Sequence, residues 1–166
     1  MKKIIIALMM LAPMAAFAQA KFGHVNTQEI IQSMPEFNTA KSDLEKLTEQ
    51  YEADLKSMQE ELQKKGEAFE KDQATLPENI KTRREQELND LYQRIQQTYQ
   101  DNQQALAKAQ QEKMSAIQTK VLDAIKSVGQ DGGYVYIMEV GAGIPYISTT
   151  LSTDVTAQVK TKLGLK

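Results

Sequence analysis

Ala74-Thr75-Leu76-Pro77-Glu78 is the pivot of a stretch, residues 36–128, in which Pro77 is the one proline and Gly66 the one glycine. Nearly everything else there is Glu, Lys, Gln, Ala or Leu, residues that favour helix. A proline ends the helix before it and is tolerated in the first turn of the helix after it. The stretch therefore predicts two long helices reversed at residues 75–78, an antiparallel hairpin spanning 35–128. At 1.5 Å per residue these helices are about 60 and about 80 Å long.

The first helix is expected to start after Ser33, with Pro35 in its first turn and Glu36 reaching back as a capping box. Thr75-Leu76-Pro77-Glu78 repeats that signature for the second helix. Phe37, Ala40, Leu44, Leu47 and Tyr51 are spaced 3-4-3-4, the rhythm of a coiled-coil seam, and Leu55, Met58, Leu62 and Phe69 carry it on. The 4-4 spacing of Leu47, Tyr51 and Leu55 is a stutter that locally unwinds a supercoil. Ile80, Leu88, Leu91, Ile95, Tyr99, Leu106, Ala109, Met114 and the apolar residues on to Val128 form the answering face, and Gly129 marks its expected end. Folding about Leu76 sets Leu55 near Ile95 and Leu44 near Leu106.

Outside the hairpin the periodicity changes from 3.6 to 2. Lys21–Val25 and Tyr134–Val140 alternate as strands, the latter after the turn Asp131-Gly132-Gly133. Pro145–Ser148 reads as a shorter edge strand. Asn26 or Thr27 caps a short helix with an Ile30, Ile31 and Met34 face, and Ser152-Thr153-Asp154 caps a last helix bearing Val155, Val159 and Leu163. The fold class is α+β, mostly α: a hairpin arm projecting from a small β body built by both chain ends, residues 21–34 and 129–166. That body has 52 residues, below the roughly 60 at which a lone domain is already marginal. A small sheet with open edges invites pairing with a copy of itself. Phe22, Val25, Ile30, Val135, Ile137, Ile147, Val155, Val159 and Leu163 are the candidate residues of this oligomerisation body.

Lys2 and Lys3, the apolar run Ile4–Leu11, and two A-x-A patterns predict a signal peptide over 1–18, cut after Ala18 or Ala20. Its removal takes the formal charge from −2 to −4. No later apolar run approaches the roughly 20 residues of a membrane span, so stable membrane insertion is not expected. An acidic chain is also a poor match for nucleic acid. With one histidine, His24, and no cysteine, no Cys/His metal site can be built, and no G-x-x-x-x-G-K loop exists for a nucleotide. Catalytic, metal and cofactor sites are therefore expected to be absent, and the chain is not read as an enzyme. What a long hairpin can do is grip. Met58, Phe69, Tyr92 and Tyr99 are the candidate contacts for a bound chain, set against ordinary packing between the helices, which the spacing favours at Met58 and Tyr99. Gln93, Gln96, Gln97, Gln100, Gln103 and Gln104 make one part of the hairpin polar and uncharged.

The order of parts, with a strand ending Val25-Asn26, a helix through Ile30 and Ile31, a charged hairpin, the strand Tyr134-Val135-Tyr136-Ile137 and an ending Asp154-Val155-Thr156 with Val159 and Leu163, resembles the Skp (OmpH-like) family of periplasmic chaperones. The resemblance implies a jellyfish-like homotrimer that holds unfolded outer-membrane β-barrel proteins without ATP and aids their delivery to the outer membrane. Such proteins are the implied partners, and the periplasm the implied location. For the lipopolysaccharide contact proposed in the family, Lys81, Arg83 and Arg84 are the counterpart here; in a chain of pI near 5.5 it is not carried over. The alternative reading is a periplasmic coiled-coil spacer or tether with no client.

Overall fold

The computed structural model describes residues 20–141 and 143–165, so the leader read at 1–18 lies outside the described residues. Seven elements follow one another: β1 (Lys21–Val25), α1 (Thr27–Ser33), α2 (Pro35–Asp72), α3 (Glu78–Gly132), β2 (Tyr134–Glu139), β3 (Ser152–Asp154) and α4 (Thr156–Lys162). They divide into two compact units, residues 35–116 and the remainder.

The first unit is the helical hairpin. The 38 residues of α2 and the 39 of α3 that fall within this unit run antiparallel, as two ion pairs between them require. Lys113 Nζ lies 2.7 Å from Asp43 Oδ2, and Lys65 bridges to Glu87 nearer the reversal. These exposed pairs add little stability, but they are consistent with one register. Each leaves its mark on titration: Lys113 holds the Asp43 carboxyl below the usual carboxylate range, and Lys65 does the same to Glu87. Leu91 and Ile95 are buried, and Ala40 with them. Leu47, Tyr51 and Leu55 lie half-buried in succession, so the 4-4 stutter is part of the seam. Gly66 remains helical, with open space where a side chain would stand.

Two expected caps turn out to belong to the preceding helix. Ser33 Oγ donates to the Ile30 carbonyl at 2.7 Å, and Thr75 Oγ1 donates to the Asp72 carbonyl at 2.9 Å. Each hydroxyl closes the end of the helix behind it, and at Asp72 the carbonyl accepts from the Thr75 amide as well, at 2.9 Å. Asn26 does cap as read, its Oδ1 accepting from the Glu29 amide at 3.0 Å.

The second unit holds the sheet, ordered β2-β1-β3 with both pairings parallel to the central β1. Parallel neighbours need long connections. The hairpin lies within the connection from β1 to β2, and twelve residues, 140–151, carry the chain from β2 across to β3. This corrects the expected strand at Pro145–Ser148. A hairpin partner there would run antiparallel to β2, whereas the chain must return to start β3 in the same direction. Ser148 makes the return, its Oγ accepting from the Leu151 amide at 3.1 Å, and Ile147 is half-buried in a connection instead of a strand.

Helix α3 also continues past its expected end at Val128 to Gly132. The residue that stops it is Gly133, whose φ of 65° lies where only glycine is comfortable. Lys21 Nζ donates to the Gly132 carbonyl at 3.1 Å and helps close that terminus. One face of the sheet is covered: Gly23 and Val25 are buried, together with Ile30 of α1 and Met34 just after it, Val121, Ala124 and Val128 of α3, and Val155 and Val159 at α4. Gly23 lets the core pack closely there, since a Cβ would stand 3.0 Å from Ile137 and 3.3 Å from Tyr134 and those side chains would have to shift.

Asp154 ties β3 to α4. Its Oδ1 accepts from the Thr156 amide at 2.9 Å, while Thr156 Oγ1 accepts from the Asn26 amide at 3.0 Å. Hydrogen bonds from the Thr156 hydroxyl and amide hold the Asp154 carboxyl below its ordinary value, against a smaller opposing effect of burial. A depressed carboxyl stabilises the fold above its unfolded pKa, near 3.9, and that stabilisation is lost as pH falls below it. Asp154→Ala is expected to cost about 1 kcal/mol at neutral pH. The difference from the unsubstituted protein should shrink below about pH 4, as read by denaturant melts across pH.

Candidate functional site

Two exposed surfaces stand out, one on each unit. On the sheet unit it is the face opposite the core. Side chains alternate along a strand, and the register pairs Phe22 with Tyr136 and His24 with Met138 on one side and with Ser152 and Asp154 on the other. Phe22 and Tyr136 stack with ring centroids 4.8 Å apart. His24 Nδ1 lies 2.8 Å from Ser152 Oγ. The irregularity between Lys21 and Phe22 places Val135 outside the ladder, where it is 64% exposed. Leu122, Met138, Val140, Tyr146 and Leu151 are exposed as well. Of these, Met138 lies on β2, Leu122 on α3, and Tyr146 and Leu151 in the connection to β3.

The residues read as an oligomerisation body therefore separate into two groups. Val25, Ile30, Val155 and Val159 are buried within the chain's own core. Phe22, Ile137 and Leu163 are half-buried, and Val135 is open. Sequence reasoning missed Leu122, Tyr136, Met138, Tyr146 and Leu151. Alternation in β2 was the available signal for Tyr136 and Met138; none existed for the others.

On the hairpin unit the four candidate contacts also divide. Met58 and Phe69 are half-buried on the seam of α2, and Phe69 shares a cleft with Leu76, Ile80 and Leu88 beside the reversal. Tyr92 and Tyr99 stand 54% and 53% exposed, seven residues apart on one face of α3. The expectation that Tyr99 packs between the helices does not hold. After Leu91 and Ile95 the 4-3 rhythm passes through Thr98 and Asn102, both half-buried, and leaves Tyr99 outside. Further along the same face, Leu106, Gln110 and Met114 line an apolar groove of about 530 Å³ against Phe37, Ala40 and Leu44 of α2.

Among the described residues no group of His, Cys, Asp and Glu could hold a metal ion, and no helix is long and apolar enough to cross a membrane. The exposed side of a small parallel sheet and the exposed tyrosines of a long helical hairpin are therefore the candidate contact surfaces. The chain belongs to the OmpH-like family of outer membrane proteins, whose model matches residues 21–163. It is 29% identical over 152 residues to the chaperone protein Skp of Yersinia enterocolitica, a match covering 90% of this chain and 92% of that one. Its fold is that of an OmpH-like protein of Caulobacter crescentus solved by crystallography, with a TM-score of 0.75 at 16% identity, covering 88% of this chain and 85% of that one. The family is one of chaperones rather than of enzymes.

Proposed function

We propose that this protein is an ATP-independent holdase of the periplasm. It is exported by a cleaved signal peptide, assembles as a homotrimer through the open face of its sheet, and binds unfolded outer-membrane β-barrel proteins on its helical hairpin, aiding their delivery to the outer membrane. Family membership supports the chaperone role. The observation that carries the client-binding step is the outward position of Tyr92 and Tyr99, which alternate with glutamines on one helix face. A holdase needs many weak contacts, so that a client stays unfolded and can still leave. Exposed aromatic rings on a long rod supply such contacts.

The test uses the mature protein and an outer-membrane barrel unfolded in urea. On dilution of the barrel, light scattering should stay low when the protein is present, with no nucleotide added. Unchanged aggregation overturns the holdase reading and favours a coiled-coil spacer. Sizing of the free protein checks the trimer.

A further inference from the structure

From the hairpin surface we infer that one face of α3 binds its ligand without charge attraction, and that this ligand is an extended, uncharged, apolar-rich polypeptide segment laid along that face. This rests on the holdase reading and specifies what the site selects. The face runs Tyr92, Gln96, Tyr99, Gln103, Leu106 and Gln110, with 4-3-4-3-4 spacing, so successive members stack along one side of the helix. Not one is charged. Between Ile95 and Ala107 the single charged residue is Asp101, and it accepts a hydrogen bond from Gln97 at 2.8 Å, off this face. Helix α2, by contrast, carries eleven Asp or Glu against six Lys or Arg. A segment attracted by charge would have to be basic and would sit on α2.

The glutamines identify the occupant as an extended chain. Gln96, Gln103 and Gln110 are exposed, and among the described residues their side chains have no hydrogen-bond partner. Each amide offers two donors and an acceptor. An unfolded segment has unpaired backbone N–H and C=O groups at nearly every residue to meet them. A docked helix has none outside its ends. Alternating with the amides, Tyr92, Tyr99 and Leu106 supply apolar contact; the charge-free part of the face ends at Leu106 and Gln110, where the groove is also lined by Lys41, Glu45 and Glu49 of α2. From Tyr92 to Gln110 the face is about 27 Å long, the span of about eight residues of extended chain.

The experiment measures the Kd of the mature protein for a fluorescently labelled, urea-unfolded outer-membrane barrel at about 0.1 M and about 1 M salt. The two values are expected to agree within about threefold, because no screened attraction is involved. Tyr92→Ser with Tyr99→Ser should weaken binding at least about tenfold at both salts. Gln96→Ala with Gln103→Ala, which favours helix, should weaken it by about threefold or more. Subunit number should be the same in all three proteins. A loss of affinity of about tenfold at high salt, or unchanged affinity in both variants, overturns the inference and leaves the holdase reading standing. A smaller assembly in the tyrosine variant shows that the face meets another copy instead. No binding by the unsubstituted protein overturns the holdase reading and this inference with it.

Discussion

Val135→Asp combined with Met138→Asp is expected to leave the protein monomeric at concentrations where the unsubstituted chain is assembled. Both side chains are exposed in the single chain, so the substitutions remove little from its own core. In the proposed assembly they act where copies meet. In a closed symmetric assembly every copy contributes the same patch, and each new carboxylate would be buried against apolar surface or against its own counterpart. Burial of an unpaired charge or a like-charge contact costs several kcal/mol. Since each 1.4 kcal/mol is tenfold in affinity, subunit association should weaken at least about 100-fold. Sedimentation or size-exclusion with light scattering reads this directly. Val135→Ala with Met138→Ala should dissociate far less. A fully assembled double-aspartate variant would place the subunit contact elsewhere on the chain.

How much of this was legible before the structure follows from the strength of each physical signal. The hairpin was plain, because 93 residues interrupted by one proline and one glycine leave few other arrangements. Its reversal at Leu76-Pro77 and its stutter at Tyr51 were equally plain. The caps were harder. A Ser or Thr ahead of a proline can close the helix behind it or open the one ahead, and at Ser33 and Thr75 the first use prevailed. The third strand was missed because Pro145-Tyr146-Ile147 has the stronger local strand propensity, while Ser152-Thr153-Asp154 forms a strand by pairing with residues 22–24, some 130 positions away. No local pattern encodes that pairing. Tyr99 was misplaced for a related reason: a seam is expected to be apolar, and here it runs through Thr98 and Asn102. The Nδ2 of Asn102 is buried without a hydrogen-bond partner among the described residues. The exposed tyrosines follow from that polar interruption.

Ile30→Ala is the core substitution with the largest expected effect on stability. Ile30 is fully buried, as are Val155 and Val159, and α1, which carries it, is only seven residues long. So short a helix is not stable alone and is held by its packed face. The ion pair of Lys160 with Glu29, 2.8 Å across the surface between α4 and α1, is too exposed to hold α1 by itself. Truncating a buried isoleucine to alanine costs about 2–5 kcal/mol through lost contacts and the cavity left behind. For a unit of this size that corresponds to a fall in Tm of more than about 10 °C, seen by calorimetry or by the loss of tyrosine near-ultraviolet dichroism. Ile30→Val, which removes one methylene, should cost only about 0.5–1.5 kcal/mol. Val155, Val159 and Ile30 come from distant parts of the chain, so the loss should appear as one cooperative step in the sheet unit and carry its open face with it. The alanine variant is therefore expected to lose assembly as well as stability, whereas the double-aspartate variant loses assembly while a folded single chain persists. Equal melting of the Ile30→Ala and Ile30→Val proteins would mean that the docking of α1 does not hold this unit together.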